Sequence, residues 1–183
     1  MIRSFSIVFR PLLALAAVLT LFALSGVGGT SADSGARTFK YLLGTGPLCA
    51  HGPDECPDIA MAHNGDTIDI AGSGMLGIHP DSISGGGTFT HHTAAGPVSG
   101  TWAANRLLGF HEFGCTPDNR CGGHVLMNVT LSVGGSPVHN AILQFDCVIG
   151  KPPAGAQEGV RLAIQDALNF NHKVSGGTVL ILQ

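Results

Sequence analysis

Charge is scarce in this sequence: Asp, Glu, Lys and Arg make up 11% of its 183 residues, and the basic ones do not cluster. A nucleic-acid partner needs a basic stripe to meet phosphates, so that class is a poor match. Beyond Leu24 no apolar run approaches the roughly 20 residues of a spanning helix, which argues against a membrane span in the body of the chain. No long amphipathic helix and no repeat of fixed period can be traced. No serine occupies a Gly-x-Ser-x-Gly elbow, and the glycine-rich stretches 72–74 and 84–87 open no helix. A phosphate cradle requires a helix N-terminus beyond the glycines, so these stretches read as turns or bulges. Aromatics are few, and the single tryptophan, Trp102, reads as core.

What is present begins with an export signal. Arg3 and Arg10 precede an apolar run, 11–24, and small residues follow up to Ala32. This is the order of a secretory leader, with a cut expected after Ala32 and a second option after Ala36. The core of the leader is too short to span a bilayer, and no cysteine near the cut suggests lipid modification. Residues 33–183 then form a single domain. Seven of the nine Lys and Arg and all twelve acids lie in it, giving 7 − 12 = −5 with histidines neutral.

All five cysteines fall in this exported part. In an oxidising compartment, close pairs become disulfides. Cys49–Cys56 and Cys115–Cys121 each flank a short proline-containing loop, and pairing them leaves Cys147 as a free thiol. Other pairings stay open at this point. Cys115, Cys121 and His124 also have the spacing of a zinc knuckle, but export favours the bridge.

Short β-branched or alternating runs separated by Gly, Pro, Asn and Asp clusters predict about eight to ten strands. Hairpins are expected around Asn64-Gly65, around 94–97 and around 134–137, with a separate strand at 107–113. Successive hairpins favour an antiparallel meander closed as a small β-barrel, with a β-sandwich as the alternative. Alternation places Leu143, Phe145 and Cys147 on one face and Gln144 and Asp146 on the other. It puts His91 with Phe89, facing inward or at a rim, and His92 outward. His124 falls on the wetter face of its strand.

Nine histidines stand out in so uncharged a chain. Histidine is the usual ligand of copper and zinc and the usual acid or base near neutral pH. No helical His-x-x-x-His pair occurs, so a copper or zinc site has to be assembled from separate strands. His91, His111 and His124, each on or beside a central strand, are the candidate ligands. A metal-free alternative pairs His91 with Glu112 as acid and base, by analogy with the barrels of allene oxide cyclases and dirigent proteins. Residues 109–115, Gly-Phe-His-Glu-Phe-Gly-Cys, resemble part of the copper/zinc superoxide dismutase signature, and 147–150 resemble the segment around that family's second bridging cysteine. The resemblance implies an antiparallel barrel with copper at His111. It covers about a dozen residues; the second copper histidine, the zinc histidines and the zinc aspartate have no counterpart.

Three functional expectations follow. The first is a non-catalytic exported barrel that binds a small apolar molecule or a protein partner. The second is a copper- or zinc-binding protein, and the third is a metal-free isomerase or cyclase.

Overall fold

A computed structural model of the chain describes residues 35–183; the leader expected at 1–32 lies outside them. Ten strands form one antiparallel sheet. Eight follow one another as an up-and-down meander: β2 (Asp58–Ala62), β3 (Thr67–Ile78), β4 (Ser82–Thr93), β5 (Gly96–Cys115), β6 (Arg120–Val133), β7 (Ser136–Cys147), β8 (Gly159–Ile164) and β9 (Asn169–Ser175). Pairing of β9 with β2 closes them into a ring. The fold is thus all-β and antiparallel, and because one sheet closes on itself, the two-sheet sandwich is set aside.

The ring is uneven rather than a regular barrel. β2, β8 and β9 have 5, 6 and 7 residues, whereas β5 has 20. The tall wall outruns the short one, and the two remaining strands fill the gap. β1 (Arg37–Leu43) pairs with Gly72–Ile78 of β3 and with β10 (Thr178–Leu182), and β10 reaches Cys121 of β6. The turns after β2, β4, β6 and β8 all fall at one end, termed the mouth. The Cys49–Cys56 and Cys115–Cys121 disulfides close loops at the far end. Cys147 is free and buried. These bridges fit an oxidising location, and among the described residues no helix is long and apolar enough to cross a membrane.

Inward-facing residues fill the ring. Phe39, Tyr41, Ile68, Ile70, Met127, Leu143, Phe145, Leu162 and Phe170 are fully buried in one cluster. At roughly 25 cal/mol per Å² of apolar surface, this cluster dominates the stabilisation.

Two sequence expectations are corrected. Residues 72–74 and 84–87 are not turns; they pair as strand, Gly72 opposite Gly87 and Gly74 opposite Gly85. Glycine is needed there for close approach: a Cβ at Gly74 would overlap the Tyr41 hydroxyl, and one at Gly72 would overlap the Trp102 ring. Tyr41 instead reaches the Ser84 carbonyl at 2.9 Å, and Trp102 donates to the Ala71 carbonyl at 3.2 Å. Likewise, 107–113 is no separate strand. It continues β5, whose pairing with β6 survives three register shifts, between Ala104 and Arg106, Leu107 and Gly109, and Glu112 and Gly114. Bulges let one long strand bend around the ring without breaking.

Candidate functional site

At the mouth, the β2–β3 turn sets an acidic group. The Asn64 side chain accepts from the Asp66 backbone N–H at 3.1 Å, an Asx turn that holds Asp66 over the ring. His91 sits opposite Ile68 on β3 and Val98 on β5, so it shares the inward face with the buried Ile68. Its Nε2 lies 3.1 Å from Asp66 Oδ2, and its ring stands edge-on to Phe170 at 5.2 Å. Around this pair opens a hollow of about 340 Å³ lined by Ile68, Phe89, Val98, Leu131, Val133, Val138, His139, Ile164, Ala167 and Leu168. Val98 and Val138 are both 45% exposed, which leaves an apolar rim open to solvent.

A second cluster lies on the outer wall. His111 of β5 is directly opposite His124 of β6, and His124 is directly opposite Asp146 of β7. His124 Nδ1 lies 2.6 Å from Asp146 Oδ1. The other carboxylate oxygen accepts from Gln144 at 2.9 Å and from Arg161 at 3.0 Å. Asp146 faces outward, as alternation predicts, yet it is buried. The β7–β8 connection folds back over it: the Lys151 N–H donates to the Phe113 carbonyl, and Pro153, Gly155, Ala156 and Gln157 line the adjoining groove of about 320 Å³. A carboxylate on Nδ1 orients the imidazole and leaves Nε2 as the nitrogen that can meet a ligand.

The structure separates several residues that sequence reasoning grouped. Glu112 pairs with Arg37 of β1 at 3.1 Å, beside the Cys115–Cys121 bridge at the far end. Val98, the β5 neighbour of His91, lies fourteen positions from Glu112, on the order of 40 Å of strand. The His91–Glu112 pair is therefore not formed. The trio His91, His111 and His124 also splits, because His91 faces into the ring and the other two face out. His92 faces out as well and pairs with Asp69 at 2.9 Å. The zinc-knuckle spacing and the grouping of Glu112, Cys115 and Cys121 are both consumed by the disulfide.

Sequence reasoning missed Asp66, Asp146 and Arg161. Asp66 had a local signal, since Asn-Gly-Asp is an Asx-turn sequence. Asp146 and Arg161 acquire meaning only through cross-strand register. A third carboxylate, Asp58, is fully buried with Lys173 Nζ at 3.5 Å from one oxygen and, among the described residues, no hydrogen-bond partner on the other. Burial pushes it up to about 7, against the pull of Lys173. A larger hollow of about 690 Å³ on the outer wall is lined by amides such as Asn105, Asn128 and Asn140 together with aliphatic residues such as Ile142 and Ala163, and among the described residues it brings no acid–base pair together.

No family model, no curated protein and no solved structure matches this chain. The superoxide dismutase-like stretch lies within bulged β5, and the histidine facing His111 comes from β6 rather than from the same strand.

Proposed function

We propose that this is an exported binding protein that holds a small, largely apolar molecule at the mouth of the ring. The observation that carries the reading is the 340 Å³ hollow, walled mainly by aliphatic side chains and Phe89, with His139 also in its lining and one oriented polar group, His91 on Asp66. Ligand sites typically combine such an apolar lining with a few fixed polar groups, in volumes from about 300 Å³ upward. His91 would orient a ligand oxygen or nitrogen, and Val98 and Val138 would be covered by the ligand. Export follows from the leader-like order of residues 1–32, cut after Ala32, together with two disulfides; residues 33–183 are then the working domain.

A titration with a neutral apolar fluorophore, N-phenyl-1-naphthylamine, tests this. Saturable one-to-one binding is expected, weakened at least tenfold by Ala167→Trp, which fills the hollow, and by Val98→Glu, which charges its rim. Equal binding by all three proteins would remove the mouth as the site. The acid–base alternative moves from His91–Glu112 to His91–Asp66, because Asp66 is the carboxylate within reach of that ring.

A further inference from the structure

Outside the mouth, the outer-wall cluster has a chemistry of its own. Residues directly opposite on antiparallel strands hold their Cβ atoms about 4.5–5.5 Å apart. Two imidazoles at that spacing can converge on one ion at about 2.0–2.1 Å from each nitrogen. His111 and His124 have this relation, and both line the same groove. His124 also has the partner that a metal-bound histidine characteristically has: a carboxylate on its second nitrogen, here Asp146, itself clamped by Gln144 and Arg161. The His111 ring is exposed and rests edge-on against Phe113 at 5.7 Å. Arg161 does not bring an unpaired positive charge to the groove, because its guanidinium is spent on Asp146 and on the Asn171 carbonyl.

We propose that His111 and His124 form a divalent transition-metal site on the outer wall, selective for Cu²⁺ over Zn²⁺, with Asp146 as the residue that positions His124. Imidazole donors exclude calcium and magnesium, which prefer oxygen. Copper ranks first because affinity at such a nitrogen site rises along the divalent series to Cu²⁺ and falls at Zn²⁺. Two protein ligands leave the remaining positions to water or to an incoming small molecule from the groove. His91 takes no part, so the site stands or falls independently of ligand binding at the mouth.

The test is a Cu²⁺ titration of the purified protein carrying no histidine tag, followed by calorimetry and electron paramagnetic resonance. One Cu²⁺ per chain is expected, with nitrogen hyperfine structure and weaker Zn²⁺ binding. His111→Asn and His124→Asn should each lower affinity at least tenfold. His111 is exposed, so its variant tests the site without threatening the fold. Asp146→Asn should keep the stoichiometry with ten- to hundredfold weaker binding. His92→Asn, an outward histidine elsewhere on the wall, should change nothing. The proposal is overturned if His111→Asn binds Cu²⁺ like the unaltered protein, or if His92→Asn loses as much as His111→Asn.

Discussion

Two histidine–aspartate pairs sit on opposite sides of the same sheet, and their surroundings set them apart. His91 and Asp66 face into the mouth, where the neighbours are Ile68, Phe89 and Phe170, and the carboxylate is held by a turn. His124 and Asp146 face outward, where solvent would be expected, yet Asp146 is the more buried carboxylate of the two, 8% exposed against 18%. The inner pair adds one polar group to an apolar hollow. The outer pair belongs to a network of His124, Gln144 and Arg161 under a folded-back loop. Which way a side chain points from a strand therefore does not decide how dry it is; what covers that face does.

Removing each aspartate sharpens the contrast. Asp146→Ala leaves Arg161 and His124 without their shared partner, and breaking a buried ionic network of this kind costs about 4 kcal/mol; urea denaturation should show it. If the loss is below about 1 kcal/mol, the outer network is solvated and the contrast fails.

Asp58 extends the comparison to a carboxylate buried with only a lysine. Its native pKa is near 7 against an ordinary value of 3.8. Between those values the native state keeps a proton that the unfolded chain has lost, so stability falls as pH rises from about 4 to 7 and levels off above. The slope from this group is about 1.4 kcal/mol per pH unit. Asp58→Asn should remove it, as read from melting temperatures between pH 4.5 and 8. An unchanged slope would mean that Asp58 is not the group responsible.

Asp66→Ala should cost less than about 1 kcal/mol, since its pair with His91 is partly exposed. Its effect should appear instead in fluorophore affinity at the mouth.

The smallest structural perturbation probes the face opposite Asp146. Cys147, the next residue, points inward, and burial pushes its thiol up to about 11. A thiol reagent at pH 8 should label one cysteine per chain after unfolding and almost none before. Fast labelling of the folded protein would show that the ring opens there.

Much of the ring was legible from local chemistry. The Asn64-Gly65 and Gly134-Gly135 turns follow from glycines at positive φ, namely Gly65, Gly134 and Gly135, flanked by alternating runs. The inward set Val125, Met127, Val129 and Leu131 followed from period two. The outer site was not legible, because register shifts set both of its cross-strand pairs: those between Ala104 and Arg106 and between Leu107 and Gly109 bring His111 opposite His124 rather than Gly122. Ser132 pairs with Pro137, and an unbroken register from there would put His124 opposite Phe145. A shift between Leu131 and Ser132 places Asp146 opposite His124 instead. The glycine-rich strands were missed because glycine carries no alternation, and only Tyr41 and Trp102 packing against them reveals their need for hydrogen side chains.

The sequence by itself determined the antiparallel all-β class, the hairpin turns and which face of each central strand is apolar, and it favoured the two local cysteine pairs, because all of these depend on neighbours a few residues apart. Only the tertiary structure decided that β9 meets β2, that β1 and β10 complete the tall wall, and which carboxylate each histidine receives. Those depend on strand register and on chain segments tens of residues apart, where a single bulge changes every partner beyond it.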